Sequence, residues 1–113
     1  MHEMSLAEGV LGLIESAQAR QGFDRVSTVR LEIGALAGVE LDALRHCLRI
    51  VLARSIARDA RLDFILAPGS GFCLDCGETV PIGTLYADCP ICSGAHVQAT
   101  GGLQMRVLDL TVH

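Results

Sequence analysis

The stretch 71–94, GFCLDCGETVPIGTLYADCPICSG, decides how this chain must be built. It holds two Cys-x2-Cys pairs, Cys73/Cys76 and Cys89/Cys92, separated by twelve residues. Each pair turns two thiolates toward one point, and the spacer lets the second pair complete a tetrahedron. Gly77 and Gly94 suit the tight turns of such knuckles. All four ligands come from the protein, so no coordination position is left for water or substrate. The reading is a structural zinc site; iron in the same cage, or a redox disulfide pair, is the alternative.

The surroundings explain why a staple is needed. From Ala67 to Gly102 lie seven glycines and all three prolines of the chain, with no Lys or Arg. A stretch of about 36 residues with this composition buries too little apolar surface to hold itself together. Asp75, Glu78 and Asp88 add to the negative charge of a zinc tetrathiolate, so a phosphate backbone is repelled and nucleic-acid binding is not expected. His96, four residues after Cys92, reads as a surface histidine of this segment rather than a fifth ligand. The fifth cysteine, Cys47, lies near an apolar helix face and reads as a small buried hydrophobe.

Outside this segment the pattern is regular. In 5–21, Ala7, Val10, Leu11, Ile14 and Ala17 form one apolar stripe, and Ser5/Glu8 make a capping box that predicts a helix start near Ser5. Met1, His2 and Glu3 are then expected outside the helix. Residues 25–33 alternate, with Val29, Leu31 and Ile33 on one face, as a half-buried strand does. A second helix is expected over 40–57, burying Leu41, Leu44, Leu48, Val51 and Leu52, with His46 exposed. Strands are expected at 61–66 and 104–112, the last with blurred alternation. The pairs Arg45/Arg49 and Arg54/Arg58, spaced i, i+4 on the second helix, form a basic stripe that either faces an acidic partner or is simply solvated.

Composition bounds the function. The chain has 113 residues, is 50% hydrophobic and only 4% aromatic, and carries a net charge of −4 with no Lys at all. One modest core built from Leu, Val, Ile and Ala follows. No apolar run approaches the roughly 20 residues of a membrane span, and no basic region precedes an apolar one as in a secretory signal. A cytoplasmic protein with no membrane or nucleic-acid partner is expected. No nucleophile–base pairing or phosphate-cradling glycine loop is visible, so an enzyme is not expected.

The start, MHEMS, raises separate chemistry. With histidine at position 2, the α-amine of Met1, the amide nitrogen of His2 and its imidazole Nδ1 can close fused chelate rings on one ion. A fourth donor can come from Glu3, through its amide or its carboxylate. Nitrogen-rich sets of this kind suit Ni(II) or Cu(II). An amine with pKa about 8 and an imidazole near 6.5 must both lose protons to bind, so capture is reversible on mild acidification.

Taken together, MHEMS, VSTVRLEIGALAGVELDAL, APGSGFCLDCG, CPICSG and TGGLQMRVLDLTV closely resemble the HypA/HybF family of hydrogenase maturation factors, over essentially the whole chain. The resemblance implies an α+β fold: two helices packed on a three-stranded sheet, with an inserted zinc-ribbon-like subdomain before the last strand. The corresponding division is a nickel-binding domain of 1–66 plus 103–113 and a zinc-binding subdomain of 67–102. It implies a nickel metallochaperone that binds Ni(II) through Met1, His2 and Glu3 and holds structural Zn(II) through Cys73, Cys76, Cys89 and Cys92. It also implies delivery to the large subunit of a [NiFe] hydrogenase with a HypB-type nickel GTPase, by a monomer or homodimer. Glu40 falls where some members carry an acid near the nickel motif, although a helix-start acid explains it too. Leu41, His46, Leu48 and Gln104 depart from common family residues, which bears on partner choice and not on metal ligands. A zinc-ribbon adaptor and a rubredoxin-like iron electron-transfer module are the alternatives.

Overall fold

The computed structural model describes residues 3–113. Two helices and six strands follow in the order α1 (Glu3–Gln21), β1 (Val26–Gly34), α2 (Leu41–Leu52), β2 (Arg61–Ala67), β3 (Ser70–Cys73), β4 (Thr79–Pro81), β5 (Val97–Gly101) and β6 (Met105–Val112). They form two three-stranded sheets, ordered β2-β1-β6 and β4-β3-β5. No helix of the described residues is long and apolar enough to cross a membrane.

The chain divides into two compact units. The first comprises Met1–Leu31, Val39–Phe64 and Val107–His113, and the second Glu32–Gly38 and Ile65–Arg106. In the first, α1 and α2 pack on each other. Ala7, Val10, Ile14 and Ala17 of α1 are buried, and so are Leu44, Leu48 and Leu52 of α2. These are the positions that a 3.6-residue period selects. On β1, Val29 and Leu31 are fully buried while Arg30 between them is exposed, the period of two that a strand imposes.

Several expectations need correction. α1 includes Glu3 and Met4, so Ser5 lies inside it and the Ser5/Glu8 box is not what starts it. α2 ends at Leu52, five residues short of the expected 57. The cause is local competition for carbonyls. The Ser55 hydroxyl donates to Leu52 O at 2.8 Å, and the N–H groups of Ala53, Ser55, Arg58 and Ala60 bond three residues back, so the chain leaves the helix as tight turns. Glu40 caps α2: its carboxylate accepts from the N–H of Ala43 at 2.6 Å and of Asp42 at 3.4 Å. His46 is exposed as expected, whereas Cys47 is only half-buried.

Arg45 and Arg49 do not form a free basic stripe. Arg45 Nη1 donates to Leu62 O at 3.2 Å with its guanidinium 4.5 Å from the Phe64 ring centre, and Arg49 Nη1 donates to Ala60 O at 2.7 Å. Both lean onto the β2 side of α2 and use carbonyls two residues apart, which point the same way from an extended chain.

The second unit contains three strands that the sequence pattern did not disclose. β3 pairs antiparallel with β4 (Gly71 opposite Val80) and with β5 (Cys73 opposite Val97), with an irregularity between Ser70 and Gly71. Its core is Leu36, Val80, Ile82 and two cysteines, Cys73 and Cys89.

Candidate metal centre

The two knuckles are positioned by the ends of β3 and by the segment before β5. Cys73 ends β3, and its carbonyl accepts from Gly77 N at 2.8 Å while its own N–H donates to Glu78 O at 2.9 Å. Gly77 sits at φ +74°, the left-handed conformation this turn requires. The second knuckle repeats the plan: Ser93 N donates to Cys89 O at 2.8 Å and Cys89 N to Gly94 O at 2.9 Å. Here the left-handed residue is Ser93, at φ +62°, and not Gly94. Gly94 is small for a different reason, since a Cβ there would run into the Asp75 carboxylate.

These turns bring all four Sγ atoms within 4.8 Å of one another. Cys73 and Cys92 are 3.6 Å apart and Cys76 and Cys89 3.8 Å apart. A metal–sulfur bond of about 2.3 Å in a tetrahedron gives sulfur–sulfur edges of about 3.8 Å, so the cage fits a single tetrathiolate ion. The same separations are far beyond a disulfide bond of about 2.05 Å, and all five cysteines are free. Backbone N–H groups point at the sulfurs: Ile91 and Cys92 donate to Cys89 Sγ at 3.4 and 3.5 Å, and Gly94 donates to Cys92 Sγ at 3.4 Å.

Electrostatics sort the thiols. The Cys92 N–H, helped against burial by that of Ile91, holds the Cys89 thiol down at about 7. At Cys76 the Glu78 N–H favours the thiolate. Burial and the sulfurs of Cys73, Cys89 and Cys92 outweigh it and push the thiol up to about 12. At Cys92 the Gly94 N–H is likewise outweighed, by the Cys73 sulfur and burial, and the thiol is raised. Four thiolates cannot coexist at this spacing without a cation, and a divalent ion replaces the protons that otherwise keep the peace.

His96 lies outside the cage. It is exposed, and its Nδ1 lies 2.9 and 3.1 Å from the two carboxylate oxygens of Asp75. Of the expected nickel residues, Met1 and His2 lie outside the described residues. Glu3 is half-buried at the first position of α1, and its Oε2 accepts from the Glu40 N–H at 3.3 Å. Sequence reasoning did not foresee that bond or the Asp75–His96 pair, because both join residues whose spacing carries no local signal.

Two helices, two small sheets and a four-cysteine cage define a mixed α+β metal protein. Comparison with known proteins makes this specific. The profile of the family described as "Hydrogenase/urease nickel incorporation, metallochaperone, hypA" matches residues 1–112, and the chain belongs to that family. It is 51% identical to the hydrogenase maturation factor HypA of Azoarcus sp. (strain BH72), covering 99% of this chain and 98% of that one. It is 50% identical to the HypA of Albidiferax ferrireducens, covering 99% of each. The solution structure of the Ni metallochaperone HypA from Helicobacter pylori superposes with a TM-score of 0.73 at 24% identity, over 99% of this chain and 97% of that one, which shows a shared fold.

Proposed function

We infer that this protein is a nickel metallochaperone that captures Ni(II) at Met1, His2 and Glu3 and delivers it to the large subunit of a [NiFe] hydrogenase in the cytoplasm. The observation that carries the reading is the family match, which extends from residue 1 to residue 112 and so includes the MHE start together with the cysteine pairs. Nickel is the cargo. A HypB-type GTPase supplies any nucleotide hydrolysis, and the chain itself is not an enzyme.

The described geometry at Glu3 bears on the donor set. Its carboxylate is already engaged by the Glu40 N–H. Its amide nitrogen belongs to the first turn of α1, where N–H groups have no acceptor within the helix. The amide and the remaining lone pairs of the carboxylate are thus both open to nickel, and the Glu3 side chain reaches the start of α2. Residues 67–102 serve as the zinc-binding subdomain, with Cys73, Cys76, Cys89 and Cys92 holding a structural Zn(II), and 1–66 plus 103–113 as the nickel-binding domain. When bound, zinc supplies the cross-link that joins the two knuckles.

The test is nickel titration of tag-free protein beside His2→Ala and beside a version extended by residues before Met1. Both changes are expected to abolish tight binding, and parental binding in both would overturn the N-terminal site. Metal analysis of the purified protein checks the second ion: one zinc and no colour is expected, whereas a red protein would mean iron.

A further inference from the structure

The segment 94–96 touches both knuckles. Toward the second, Gly94 accepts from Cys89 N at 2.9 Å and donates to Cys92 Sγ at 3.4 Å. Toward the first, His96 O accepts from Leu74 N at 2.9 Å, which continues the β3–β5 ladder one step past the Cys73–Val97 pair. Among the described residues no further backbone hydrogen bond joins 75–77 to the segment 94–96. The side chains take over: His96 Nδ1 meets both oxygens of Asp75, the residue between Cys73 and Cys76, at 2.9 and 3.1 Å. Asp75 in turn occupies the space that a side chain at position 94 would need.

We propose that Asp75 and His96 form a brace that locks the first knuckle to the segment leaving the second, and so slows escape of the ion from the four-cysteine cage. The inference rests on the reading of that cage as a zinc site. For zinc to leave, one Cys-x2-Cys turn must swing away from the other. The β3–β5 ladder, through the Cys73–Val97 pair and the Leu74–His96 bond, resists that motion at the near end of the first knuckle, and this side-chain pair resists it at the tip. His96 and Asp75 are positioning residues: neither gives an atom to the ion. Groups hydrogen-bonded to a metal ligand typically alter its retention by about 10- to 100-fold; Asp75 and His96 bond to each other beside the ligands, so the low end of that range is expected.

The experiment loads purified full-length protein with zinc, counts the metal, and follows its transfer to a chromogenic chelator in excess. Asp75→Ala and His96→Ala are each expected to release zinc about 10-fold faster than the parent. His96→Asn keeps an N–H donor near the position of Nδ1 and is expected to stay within about 3-fold of the parent. The double variant is expected to be no faster than either single one, as two ends of one contact require. Cobalt-substituted parent and His96→Ala are expected to share one tetrathiolate spectrum. Parental release by His96→Ala overturns the brace, and so does additive acceleration in the double variant. A changed cobalt spectrum would instead make His96 a ligand, which also overturns it. A parent that takes up no zinc overturns the zinc reading itself and is seen at the metal count, before any rate is measured.

Discussion

The helical unit and the cysteine unit solve the same problem with different materials. In the first, Ile14, Val29, Leu31, Leu44 and Leu48 are completely buried against one another's elements, and the fold is secured by packed carbon. In the second, two of the five core residues are cysteines, while Leu74, Tyr86 and Ile91 stand 63%, 94% and 65% exposed. Only Leu36, Val80 and Ile82 join the cysteines inside, so the buried apolar core is small. The contrast teaches that a short strand needs either a deep face to pack on or a cross-link at its end. β3, four residues long, ends at Cys73, one of the four thiols of the cage.

The sharpest way to break the comparison is Cys73→Ser. A structural zinc site is worth about 10–16 kcal/mol of coupled folding in small metal domains. Loss of the ion and of amide dispersion for 70–101 is expected, with signals of α1 and α2 retained in the same heteronuclear spectrum. Loss of both sets would show that the two units fold as one. The converse change is Leu48→Ala, which leaves a cavity in the helical unit and costs about 2–5 kcal/mol. Its thermal midpoint should fall while zinc content stays at one per chain.

Acid probes the sulfur side alone. Cys76 and Cys92 hold their protons at neutral pH, and Cys89 gains one as pH falls through about 7. Metal must displace these protons, so acidification opposes binding. With Cys76 and Cys92 protonated, zinc affinity should fall roughly 100-fold per pH unit just above neutrality, steepening toward about 1000-fold per unit below 7 as Cys89 also takes its proton. Competition with a chelator of known pH dependence measures the slope, and a flat profile would contradict the assignment. Smaller still, Arg49→Ala removes the 2.7 Å bond to Ala60 O and is expected to lower stability by about 1 kcal/mol in denaturant. Glu40→Ala uncaps α2 at about 1 kcal/mol, read as faster amide exchange at Asp42 and Ala43.

What the sequence made legible follows the same division. The stripe of α1, the alternation of β1 and the four thiols were readable, because each repeats at a period set by backbone geometry or by tetrahedral coordination. β3, β4 and β5 were not, since three to five residues around a knuckle are too few to show a period. The early end of α2 was hidden by Ile56, which continues the apolar spacing, while the deciding group was the Ser55 hydroxyl. The exposure of Arg45 and Arg49 was readable but their bonds to Leu62 O and Ala60 O were not, because spacing along a helix does not reveal the carbonyls of a neighbouring segment.

That last pair has a consequence for the protein in a crowded solution. β2 is an edge strand of its sheet; Ala60 immediately precedes it and Leu62 is its second residue. Bare carbonyls at the end of a sheet are a template on which another extended chain can dock. Arg45 and Arg49 satisfy the Leu62 and Ala60 carbonyls and set positive charge beside the start of this edge strand. In a chain without a single lysine, arginine is the residue that supplies that charge.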